Sequence, residues 1–142
     1  MNCRCVIREA PLTLDEALAF TSDPAHGAAD IFLGHVRNHH GGEAVEGITY
    51  DAHPALAEKA FTEIAEEALA KFGPLKIYIG HAMGELPIGG LSVLIAVSSA
   101  HRAESFDACR YAIEEIKHRA PIWKREHYLS GKSAWLPGHS LR

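Results

Sequence analysis

Two β-rich runs, Leu75 to Met83 and Leu91 to Ala100, are joined by the long turn Gly84-Glu85-Leu86-Pro87-Ile88-Gly89-Gly90. Runs of this length bounded by glycine and proline read as strands. The flanking sequence alternates between strand and helix patterns. Residues 4–8, Ala29 to Val36, Val45 to Ala52 and Ile122 to Leu129 are the other strand candidates. Arg37-Asn38-His39-His40-Gly41-Gly42 reads as a polar loop between the second and third of these. Thr13-Leu14-Asp15-Glu16 has the spacing of a capping box, with a short helix following to about Phe20 and Ser22-Asp23-Pro24 ending it. Pro54 suits the first turn of a longer helix, in which Leu56, Ala60, Ile64 and Ala68 recur at i+4 before Gly73-Pro74. Residues 103 to about 118 form another helix, with Phe106, Cys109, Ile113 and Ile116 on one stripe. The expectation is a single α+β domain over residues 1–142, with five or six strands and two main helices.

Composition excludes several classes. The formal net charge of −4 argues against a nucleic-acid-coating protein, which would be strongly basic. The longest aliphatic run, Val93 to Val97, is five residues, whereas a membrane helix needs about 20. Met1-Asn2-Cys3-Arg4-Cys5 lacks the apolar run of a secretory signal. Three cysteines, two of them one residue apart, make a poor disulfide framework, so reduced thiols and a cytoplasmic location are expected. No second cysteine pair completes a metal site with Cys3 and Cys5.

The charge is unevenly distributed. Residues 43–71 hold seven acids and two bases, while residues 117–125 hold Lys117, Arg119, Lys124 and Arg125 and no acid. His101-Arg102 falls at a strand end and helix start, where free amides and the helix dipole favour an anion. These features suit a small anionic ligand, or else a solvated basic face. Lys117 lies eleven residues after Phe106, within about 20° of its direction on a helix, so it shares the apolar stripe. Such a lysine snorkels, pairs, or sits in a polar pocket where its pKa drops and it can move protons. Along the last strand Ile122, Lys124 and Glu126 face one way and Trp123, Arg125 and His127 the other. Arg125 is therefore a surface or partner contact, and Trp123 fills a core or an interface. His35, His39 and His40 have ligand-like spacing, but no acidic residue completes a recognised metal motif. Neither a nucleophile elbow nor a phosphate loop is present, and Cys109 reads as a buried thiol.

Five segments occur in a telling order: Phe32-Leu33-Gly34-His35-Val36-Arg37-Asn38-His39, Tyr50-Asp51-Ala52-His53-Pro54, Gly84-Glu85-Leu86, Ser99-Ala100-His101-Arg102, and Lys117-His118-Arg119-Ala120-Pro121-Ile122-Trp123-Lys124-Arg125-Glu126. From about residue 29 to Trp135 the chain resembles the large, catalytic subunit of molybdopterin synthase. The resemblance implies an α/β-hammerhead-type α+β fold and a central homodimer. It implies a small ubiquitin-like partner on each large subunit, giving a heterotetramer. That partner's C-terminal Gly-Gly thiocarboxylate would enter the large subunit's pocket. Two sulfurs would pass to cyclic pyranopterin monophosphate, forming the dithiolene of molybdopterin, with no metal or other cofactor held by the large subunit.

Carried over by position, Arg37, His101 and Arg102 would bind the substrate's phosphate and pterin portions. Lys117 would sit beside the thiocarboxylate as acid/base and electrostatic stabiliser. Lys124 would hold substrate and shuttle protons, and Arg125 and Glu126 would flank the pocket. Fixed cations suit this chemistry, because thiocarboxylate and phosphate repel one another. The chain departs from the family pattern at His35, often a lysine, at Gly90-Leu91, where an acid usually follows the glycine, and at His139, where an arginine often stands. His139 or Arg142 would then reach a neighbouring subunit's pocket. Two other readings compete: a non-catalytic module binding a phosphorylated metabolite or a partner tail, and a metal-dependent hydrolase built on the histidines.

Overall fold

The computed structural model describes residues 2–9, 11–131 and 133–135. The elements are β1 (Cys3–Glu9), α1 (Leu14–Thr21), β2 (Ala28–His35), β3 (His39–His40), β4 (Glu43–Ala52), α2 (Pro54–Phe72), β5 (Leu75–Pro87), β6 (Leu91–Ser99), α3 (Arg102–Arg119), β7 (Ile122–Tyr128) and β8 (Ser133–Trp135). The expected α+β class holds, with the expected short helix α1 beside the two main helices α2 and α3, and with short strands β3 and β8 added. The main path across the sheet is β2-β6-β5-β4-β7-β8, with β1 parallel to β5 and β3 paired to β4.

β5 joins two halves of this sheet. Residues Leu75–His81 pair with β6 and Cys3–Glu9 lie alongside Ile77–Met83, whereas Gly84–Pro87 pair with β4. The change of partner falls at Gly84, whose φ of 84° is a conformation open to glycine and strained for other residues. This is why Gly84-Glu85-Leu86 continues the strand instead of turning, and only Ile88-Gly89-Gly90 reverses the chain.

Helices cover both faces of the first half. α2 packs on one side of β1, while on the other side Arg4 and Arg8 both reach Glu16 of α1 at 3.0 Å. Ser92 to Ser99 of β6 are all buried, as expected of a strand covered on two sides. The Thr13 side chain makes no cap hydrogen bond. The capping box is not formed, because Glu16 is drawn to the two arginines instead.

The helix stripes are rotated from those read in the sequence. α2 buries Ala57, Phe61, Ile64, Ala65 and Ala68 and leaves Leu56 exposed. α3 buries Ser105, Ala108, Cys109, Ala112 and Ile116 and leaves Phe106 exposed. The two helices pack on each other. Arg119 of α3 clamps Glu67 of α2 at 2.6 and 2.8 Å, and the Tyr111 hydroxyl donates to the same carboxylate. Trp123 is 44% exposed, so it does not fill the core.

Candidate active site

A cleft of about 250 Å³ opens where the end of β2, the start of β6, the middle of β4, β7 and the end of α3 converge. Its lining includes Arg37, Lys117, Lys124 and Glu126, with His35, His39 and His40 at the β2 and β3 side. Phe32, Ile48, Tyr50 and Ser92 supply the rest of the wall with Gly34.

Local structure explains each placement. The antiparallel register sets Lys124 opposite Tyr50 and Glu126 opposite Ile48, so all four project to one face. At Gly34 an added Cβ would lie 2.4 Å from Val93 Cγ1, so only glycine permits this approach of β2 to β6. Ser92 Oγ donates to the Gly34 carbonyl at 3.0 Å beside this contact. The Val36 amide donates to Gly90 O and the Gly89 amide to Val36 O. These two bonds hold the segment that carries Arg37 against the β5–β6 turn.

The electrostatics are those of a crowded cationic site. Burial lowers the pKa of Lys117, and the charges of Lys124 and Arg37 lower it further. Burial also lowers Lys124; Glu126 opposes that shift and Arg37 reinforces it. The sequence left Lys117 open between snorkelling, pairing and a polar pocket, and the polar pocket is what forms. Glu126 is 1% exposed, and neither carboxylate oxygen has a hydrogen-bond partner. Its Oε1 stands 3.9 Å from Lys124 Nζ and 3.4 Å from His40 Nδ1. Behind the wall, His81 donates from Nδ1 to Ala82 O at 2.7 Å and meets Tyr50 edge-on. Burial pushes His81 down to about 4, so it is neutral at physiological pH.

Other candidate residues lie elsewhere. His101 caps α3 and Arg102 begins it; both are exposed and neither lines the cleft. Lys117 lies fifteen residues further along the helix than Arg102, about 22 Å along the axis. Arg125 points to the opposite face of β7, as the strand alternation requires, so it does not line the cleft with Glu126. His139 and Arg142 lie outside the described residues. Cys109 is buried and its thiol is pushed up to about 12, mainly by burial. Among the described residues no three His, Cys, Asp or Glu side chains are grouped to hold a metal ion. No helix there is long and apolar enough to cross a membrane.

Sequence reasoning missed Tyr50, Ser92 and His40 as parts of this wall. For His40 the Gly41-Gly42 pair was a usable signal: a two-glycine hairpin turn folds the preceding residue back over the following strand.

Fold and cleft together define an α+β protein with a recessed cluster of cations suited to a small anionic substrate. The MoaE protein family model matches residues 7–119, and the chain belongs to that family. It is 48% identical over 133 residues to the molybdopterin synthase catalytic subunit of Synechococcus elongatus, covering 93% of this chain and 81% of that one. The crystal structure of molybdopterin synthase from Staphylococcus aureus is similar at a TM-score of 0.89 and 37% identity, over 93% of this chain and 96% of that one. A chain from the complex of subunits 1 and 2 of molybdopterin-converting factor from Helicobacter pylori shares the fold at a TM-score of 0.70 and 23% identity, over 95% of this chain and 90% of that one.

Proposed function

We propose that the cleft transfers sulfur from the C-terminal thiocarboxylate of a small ubiquitin-like partner to cyclic pyranopterin monophosphate, forming the dithiolene of molybdopterin. The observation that carries this reading is the placement of two lysines of lowered pKa, Lys117 and Lys124, in one cleft with Arg37, in a chain of this family. Both reactants are anions, and preorganised cations offset their repulsion where the new charge develops. A lysine whose pKa is lowered toward neutrality also exchanges protons more readily than an exposed one. Lys117 serves as acid/base beside the thiocarboxylate. Lys124 holds substrate and moves protons, and Glu126 keeps Lys124 charged and in place. Arg37 binds the phosphate or the pterin oxygen through its planar fork.

His101 and Arg102 enter the reading through a second copy of the chain. They stand too far along α3 to touch a substrate held by Lys117 of the same chain. In a homodimer the partner copy presents them at the cleft mouth, and Arg125 serves at a subunit contact. Each chain acts as one domain over residues 1–142, within a heterotetramer of two large and two small subunits. The three free cysteines suit a cytoplasmic location.

The test is reconstitution. The protein is mixed with a thiocarboxylated small subunit and cyclic pyranopterin monophosphate, and molybdopterin is followed as its oxidised fluorescent derivative. Product that depends on Lys117 supports the reading. No product with a demonstrably bound partner would move the assignment to a non-catalytic binding module.

A further inference from the structure

One edge of the sheet is long, apolar and open. β2 pairs with β6 along one side, and among the described residues no strand pairs with the other. An open edge invites a further strand, and chains ordinarily blunt it with charge, proline or shortness. Two other edges of this sheet are blunted in that way: β1 carries Arg4 and Arg8, and β8 is three residues long. β2 runs for eight residues without lysine, arginine or proline, and its Leu33 is 39% exposed.

α3 lies beside this edge and runs in the same direction. Ser105 Oγ reaches Ala28 O at 3.4 Å near the start of both elements. Further along, Phe32 of β2 and Ile113 of α3 line a groove of about 450 Å³ that ends at Lys117. Phe106, earlier on the same helix, is 55% exposed, so this large aromatic ring fills no core in the single chain.

We infer that a second copy of this chain covers the β2 edge about a two-fold axis, pairing β2 antiparallel with its counterpart and seating Phe106 of each copy in the groove lined by Phe32 and Ile113 of the other. The dimensions agree. α3 packs on both β6 and β2. A helix over that gap, with the two β2 strands paired about 4.8 Å apart, stands about 10 Å from its counterpart, the spacing of packed helices. The rotation also exchanges the ends of each element. Phe106 and Ile113 lie on opposite sides of the middle of α3, so reversal brings each toward the other copy's partner residue. Arg102 precedes Phe106 by about one turn, and so comes to the end of α3 that carries Lys117. Groove and cleft share Phe32 and Lys117, which places the occupant of the groove at the mouth of the cleft. The axial separation of Arg102 from Lys117 within one chain is thereby closed between two.

This inference rests on the reading that His101 and Arg102 reach the cleft from a second copy, and it names the surface that brings them there. Its test needs no turnover. Sedimentation of the full chain at micromolar concentration should give a dimer. Phe106→Glu should raise the dissociation constant at least about a hundredfold while its thermal melt shows a folded chain. Phe106→Ser takes its place if the buried-facing charge lowers the melt. Phe106→Cys mixed with Ile113→Cys should give, on oxidation, a covalent dimer whose linked peptides, read by mass spectrometry, join positions 106 and 113. A native protein that sediments as a monomer would overturn the inference. So would a dimer indifferent to both Phe106 variants. Loss of small-subunit binding by those variants with the dimer intact would also overturn it, giving the surface to the small subunit instead. Absence of turnover by the native protein with its partner bound would count against sulfur transfer alone, because sedimentation and cross-linking are read without substrate.

Discussion

Lys124 and Glu126 stand two residues apart on β7 with Nζ 3.9 Å from Oε1, both side chains directed into the cleft. Burial lowers the pKa of Lys124 and Glu126 partly restores it. Removing the carboxylate charge should therefore lower it further. Glu126→Gln is expected to move the lysine-borne limb of the pH–activity profile to lower pH and to weaken turnover by about tenfold. A profile with the native midpoint would show that Glu126 does not act through Lys124.

Lys117 stabilises chemistry at the expense of the fold. Its folded pKa is lowered from the ordinary lysine value. Between that lowered pKa and the ordinary one, the unfolded chain binds more protons, so stability rises with pH across this window and the ammonium is a net cost below it. Lys117→Met should raise the melting temperature at neutral pH by a few degrees and reduce turnover by at least about a hundredfold. A variant that melts lower, or that keeps native turnover, would contradict the assignment.

If His101 and Arg102 act from a second copy, two inactive variants should complement one another. Lys117→Ala mixed with Arg102→Ala, after exchange of subunits, yields mixed dimers in which one of the two clefts is intact. Activity should return to about a quarter of native. No recovery from a fully exchanged mixture would remove the shared site.

Gly34→Ala tests the wall between β2 and β6. The new methyl would lie 2.4 Å from Val93 Cγ1, an overlap that must be relieved by moving one strand. The expected cost is about 1–3 kcal/mol, read by denaturant unfolding, with a loss of activity from displacement of the cleft wall. Adding Val93→Ala should recover part of that stability, since the two changes meet in one space.

The α2–α3 clamp should be acid-sensitive. Arg119 first, and Tyr111 with it, hold the Glu67 carboxyl at about 2. A depressed carboxylate contributes stability above its unfolded pKa and loses it as pH falls toward the folded value. Glu67→Gln should thus flatten the loss of stability between about pH 4.5 and 2. The Glu67 side chain is 39% exposed, so solvent screening limits the effect to about 1 kcal/mol or less. Thermal melts of both forms across that range decide it.

The segmentation of the chain was legible because it is local. Pro54 and Gly73-Pro74 bound α2 as read, and β7 runs from Ile122 close to the expected end. Helix faces were less legible. Leu56 and Phe106, each placed on a buried stripe by periodicity, are exposed, whereas Ile64 and Ala68 of the one stripe and Cys109 and Ile116 of the other are buried as read. Strand alternation succeeded where the helix stripes held only in part. A period of two leaves two choices of face, and both Lys124 and Glu126 fall on the correct one.

By itself the sequence determined the order of strands and helices, the shared face of Lys124 and Glu126, and the family to which the residues from Phe32 to Glu126 point. Those follow from backbone geometry over a few residues and from an ordered set of motifs. The tertiary structure decided which cations meet. Arg37 and the two lysines, Lys117 and Lys124, come from separate elements and share a cleft because β7 passes the place where β2 and α3 end. His101 and Arg102, next to the cleft in expectation, are carried away by the length of α3. His40 is brought onto Glu126 by a glycine hairpin. The lowered lysine pKa values belong to the same category. Desolvation and like-charge proximity arise only when distant segments pack together, so no local pattern contains them.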